Sequence, residues 1–163
     1  MISKFWTVVA ALALAAAAPA GAAPFDVNVQ HLGNKLNEVI TRGSAQNRVS
    51  LVECRDSFAN TCTYKIGAAI ITASAPRENY TRLDKVVIQI RQSDPTAVLD
   101  FMQACLAVVG LFTPEKSSAD AAAMISKLVS DAAGNQQAST WNENMYYTVS
   151  SFSSAIEFRV LPK

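Results

Sequence analysis

The chain is 163 residues long and half hydrophobic, with 14 Lys and Arg against 13 Asp and Glu and one His. Its charges are scattered without a run of one sign, so the basic stripe of a nucleic-acid binder is missing and no nucleic-acid partner is expected. With one His, and two of the three Cys expected in a disulfide, too few ligands remain for a four-ligand zinc site. No glycine-rich phosphate loop, HExxH or GxSxG motif occurs, so no cofactor is expected either.

Residues 1–23 read as a secretory signal peptide. Lys4 supplies the positive start, Phe5 to Ala17 the apolar core, and Ala18-Pro19-Ala20 or Ala20-Gly21-Ala22 the small residues at a cleavage site. Pro19 and Gly21 interrupt the run before it reaches the roughly 20 apolar residues a membrane span needs. Removal of the segment takes Lys4 with it and leaves the charges balanced. Residues 24–163 then have the size of one domain with a full core. No later stretch is long enough to span a membrane, so the expected location is periplasmic or secreted.

A first helix is predicted over Asp26–Gly43. Val29, Leu32, Leu36 and Val39 share one face, and Gly43 is placed to stop it. Gly33, inside that helix, costs about 1 kcal/mol against alanine. Strand-like runs follow at Arg48–Arg55 and Thr61–Ile66. Ala68–Ser74 either continues the second run or begins a new one. Cys54 and Cys62 close the polar segment R-D-S-F-A-N-T, and their position across two strands suits a disulfide in an oxidising compartment. Ala75–Arg82 reads as a loop. Leu83–Arg91 alternates most clearly, with Val86, Ile88 and Ile90 on one side, as a sheet covered on one face requires.

The longest helical signal is Asp94–Phe112. Asp94 can cap it, Pro95 suits its first turn, and Val98, Phe101, Met102, Cys105, Val108, Val109 and Phe112 lie on one broad face. Leu99, Leu106 and Leu111 widen that face until the helix should be covered nearly all round. Cys105 reads as a buried, inert thiol. Ser117 or Ser118 can cap a third helix that ends near Ala133, with Gly134 as its stop. Gly134–Asn144 reads as a polar loop. Met145–Leu161 reads as a hairpin with a Ser-rich turn.

Strands are grouped instead of alternating singly with helices. The expected fold is therefore α+β, with a single antiparallel sheet of five to six strands packed on the N-terminal helix and a central antiparallel helix pair.

Catalytic chemistry is hard to assemble from these residues. His31 has no nucleophile near it in sequence and reads as an exposed helical residue. Carboxylates can act in pairs in glycosidases. Glu53, Asp56, Glu78, Asp84, Asp100 and Glu157 are the candidates, and none has a distinctive setting. Asp100 is expected on the narrow wet strip of the central helix with Gln103. Asn79-Tyr80-Thr81 matches the glycosylation pattern, as chance allows.

What remains is an aromatic set, Tyr80, Trp141, Tyr146 and Tyr147, in or next to loops and strand ends. Rings with polar tips are common in binding sites. The expected function is a non-enzymatic exported protein that binds a protein or cell-envelope component. A small envelope hydrolase using paired carboxylates, or a structural subunit whose strand edges are completed by neighbours, are the alternatives.

Overall fold

The computed structural model describes residues 25–42, 47–56, 59–91, 95–142 and 144–163. The expected signal peptide, the Gly43 stop and the Asp94 cap lie outside these residues. The protein is α+β. After a 3-10 turn at Val29–His31 come α1 (Leu32–Arg42), β1 (Ser50–Arg55), β2 (Asn60–Ile66), β3 (Ala69–Ala75) and β4 (Lys85–Arg91). Then follow α2 (Pro95–Phe112), α3 (Ser118–Asn135), β5 (Gln137–Trp141), β6 (Met145–Ser151) and β7 (Ala155–Pro162).

All seven strands form one antiparallel sheet in the order β1-β2-β3-β4-β7-β6-β5. The chain lays down four neighbouring strands, then leaves the sheet through α2 and α3. It returns at the far edge as β5 and steps back through β6 and β7 to pair with β4.

The period-two pattern selects the dry face. One cross-sheet row runs Leu51, Tyr64, Ile71, Ile88, Phe158, Val149 and Ala138. Its five central members are fully buried. Helix α2 touches β2, β3 and β4, with α1 in contact on one side and α3 on the other. Helix α3 also touches β5 and β6. Phe101, Val108 and Phe112 of α2 are buried, each contributing about 1.5–3 kcal/mol by leaving water. Phe25 stacks on Phe112 at 4.5 Å between ring centroids.

Two local devices join helices to sheet. The Tyr64 hydroxyl of β2 donates to the Val29 carbonyl and is bonded to the Gly33 and Leu32 backbone. It thereby serves free groups at the start of α1. A Cβ on Gly33 would lie 2.8 Å from Tyr64 Cε1, so the interior glycine makes room for that ring. The second device is Asp100 of α2. It accepts from the Ala68 backbone N–H at 2.8 Å and from Asn47 Nδ2 at 2.9 Å. It thus ties the β2–β3 turn to the helix layer.

Three expectations need correction. The sheet has seven strands, not five or six. Of the two readings left open for Ala68–Ser74, a separate strand is the one found: β3 begins at Ala69, after the two-residue turn Gly67-Ala68, where Gly67 takes φ 55°. The predicted Gly134–Asn144 loop contains β5. Only Ala138 and Thr140 face inward there, too little apolar signal to read as a strand, and pairing with β6 and contact with α3 decide its conformation. Helix α3 runs through Gly134, and Gln136 takes the left-handed capping position at φ 64°. The third concerns α2, whose outer strip is uncovered: Leu99 is 75% exposed and Val98 48%. Two layers give a helix an inner neighbour and two flanks, but no roof.

Candidate functional site

No described helix packs on the second face of the sheet, where Lys65, Ile70, Gln89, Arg91 and Arg159 are exposed. One row across it runs Glu53, Thr63, Thr72, Val87, Arg159, Thr148 and Ser139. The next runs Ser50, Lys65, Ile70, Gln89, Glu157, Ser150 and Gln137. Hydroxyl and amide side chains dominate both rows towards β5.

At that end the face is concave. A depression of about 500 Å³ is lined by Gln136, Gln137, Tyr146, Thr148, Ser150 and Arg159. Phe152, exposed at the β6–β7 turn, and Leu161 add apolar surface. Left-handed backbone costs a residue with a side chain about 1–2 kcal/mol, so Gln136 holds its place in the wall against local strain.

Charge inside the depression is already neutralised. Glu157 is only 8% exposed. It accepts from Gln89 Nε2 at 2.7 Å and from the Arg159 guanidinium on its other oxygen. Removing Arg159 would leave a buried carboxylate without its counter-charge, which is costly. Hydrogen bonds first with Ser139 and then with Thr148 hold the Tyr146 hydroxyl below its ordinary pKa.

The aromatic set divides. Trp141 and Tyr146 stand directly opposite each other on β5 and β6, with Leu161 opposite Tyr146 on β7. Trp141 is 67% exposed. Tyr80 is also exposed, but it sits in the β3–β4 connection, where its carbonyl accepts the Val29 N–H. From β3 to β5 is four strand spacings, roughly 19 Å. Tyr147 is not a surface residue. Inward on β6, it packs on Phe158 at 5.9 Å and lies 3.3 Å from Thr113 Oγ1. Burial pushes its hydroxyl pKa up. Neighbouring residues of a strand face opposite ways, so Tyr146 and Tyr147 could not share one surface. The polar residues around Trp141 were legible only as an alternation, Gln137-Ser139-Trp141 against Tyr146-Thr148-Ser150, which becomes a signal once β5 is a strand.

The other chemical candidates have structural roles. Asp100 holds the turn described above. Glu53 pairs with Arg55 on the exposed edge strand β1, four spacings or roughly 19 Å from the β7 strand of Glu157. His31 is exposed in the 3-10 turn. Asn79 accepts from the Thr81 backbone and hydroxyl in a local turn. Among the described residues no three His, Cys, Asp or Glu side chains gather as a metal site, and no helix is long and apolar enough to cross a membrane. Cys54 and Cys62 form a disulfide across β1 and β2, and Cys105 is a free, buried thiol whose pKa burial pushes well up. A second depression, of about 470 Å³, lies over α2 among Val39, Leu99, Met102, Leu106 and Gly110 and is largely apolar.

No protein-family model matches this chain, and no curated protein or solved structure matches it.

Proposed function

We propose that this protein is an exported, non-enzymatic binding module whose ligand seats on the open sheet face at β5, β6 and β7. The observation that carries the reading is the exposed Trp141, paired with the partly buried Tyr146, beside a concave depression that mixes amide and hydroxyl groups with apolar surface. An amphipathic ring pair next to convergent hydrogen-bonding groups is what small binding sites are built from. Export is supported by the N-terminal sequence and by the Cys54–Cys62 disulfide, a bond typical of oxidising compartments. Against catalysis stand the engaged carboxylates: Glu157 is paired and Asp100 is spent on a turn. The test is affinity capture from cell-envelope extract with the wild type and with Trp141→Ala. The expected result is a retained component that the variant fails to hold. Equal capture by both proteins would sink the reading.

A further inference from the structure

We infer that the open-face site takes a neutral carbohydrate, a chain of uncharged pyranose rings. The inference rests on the proposed function in that it uses the same site. It adds the ligand's chemistry, from three observations.

First, the depression presents amides and hydroxyls, from Gln136, Gln137, Thr148 and Ser150. Amide groups carry both donors and acceptors, which is what vicinal hydroxyls of a sugar require. Second, Arg159 is the one charged side chain among the described residues lining it, and Glu157 already holds it. An acidic ligand would have to share that guanidinium with the Glu157 carboxylate and would meet its like charge. A cation finds no carboxylate among the described residues lining the depression. A neutral ligand pays neither cost. Third, Trp141, Tyr146 and Leu161 form a contiguous apolar strip along one end of the face. Rings with flat apolar surface and polar tips suit the C–H face of a pyranose while its hydroxyls turn to the amides. A protein partner would instead be expected to meet a larger apolar centre ringed by polar groups.

The experiment is titration of isotope-labelled protein with cellohexaose, maltohexaose and N-acetylchitohexaose, followed in amide and indole N–H spectra. Polygalacturonate and an envelope protein extract serve as comparators. At least one neutral oligosaccharide should shift Gln137, Tyr146, Ser150 and the Trp141 indole. Trp141→Ala should weaken it about tenfold, which is about 1.4 kcal/mol. Gln137→Ala, exposed on an edge strand and harmless to the fold, should weaken it a few-fold. Preferred binding of polygalacturonate overturns neutrality. Shifts at this face with the protein extract alone overturn the carbohydrate and leave the proposed function standing. A face undisturbed by every probe overturns both.

Discussion

The tie between Asp100 and the β2–β3 turn gives a quantitative test of how the helix layer is held to the sheet. Gly67 has φ 55°, and a Cβ built on it would lie 2.0 Å from Asp100 Oδ2 and 2.3 Å from its Cγ. Gly67→Ala therefore has two costs. The backbone strain of alanine at positive φ is about 1–2 kcal/mol. In addition the carboxylate must swing away, losing the Ala68 N–H and the Asn47 amide. Hydrogen bonds to a charged group are worth about 1.5–3 kcal/mol each when buried. At this half-exposed site water replaces part of them, so about 2 kcal/mol for the pair is the working figure. Gly67→Ala should then cost about 3–4 kcal/mol and Asp100→Ala about 2. Once Asp100 is truncated the added methyl has room, and only strain remains. The double variant should therefore cost about 3–4 kcal/mol instead of the additive 5–6, a coupling of about 2. Urea unfolding of the four proteins measures this. If Gly67→Ala costs the same in both backgrounds, Asp100 does not occupy the space beside the turn, and the staple assigned to it is wrong.

Tyr64→Phe should cost about 1–3 kcal/mol in the same assay, because it strips a buried carbonyl and the start of α1 of their partner. A loss below about 0.5 kcal/mol would remove the capping role from Tyr64. Ser117→Ala should cost about 1 kcal/mol, since the Ser117 hydroxyl accepts the Asp120 N–H at 3.1 Å. Gln136→Gly should raise the unfolding temperature, relieving strain at φ 64°; Gly134→Ala, with nothing within 4 Å of its added Cβ, should raise it too. Burial raises the pKa of the Cys105 thiol above its ordinary 9.0 and those of Tyr64 and Tyr147 above their ordinary 10.0. The unfolded chain therefore gives up these protons first, and their contribution to stability, full below pH 9, falls as pH rises past those values. Cys105→Ala should flatten the first part of that fall, between about pH 9 and 10. Reducing Cys54–Cys62 should cost about 2–3 kcal/mol by the loop-entropy model, read as a drop in the urea midpoint.

Much of this molecule was written in local pattern. Val86, Ile88 and Ile90 alternate, so β4 and its dry face follow from the period of a strand. The broad apolar run after Pro95 makes α2, and Cys54 and Cys62 are spaced to meet across β1 and β2. Grouped strands specified an α+β protein with one antiparallel sheet. These features depend on residues near each other in the chain, where periodicity, caps and turn chemistry act directly.

The rest depended on contacts between distant residues. Gly33 reads as a weak point in a helix until Tyr64, from another element, fills the space beside it. Asp100 reads as a solvated helix residue until the β2–β3 turn arrives beneath it. Strand β5 has little apolar pattern of its own, and only β6 and α3 make it a strand. That pairing places Trp141 against Tyr146 and turns Tyr147 into the core. Composition and spacing decided which side chains this protein has for binding. The order of strands decided which of them share a surface, because neighbours across a sheet are chosen by pairing and not by position in the chain.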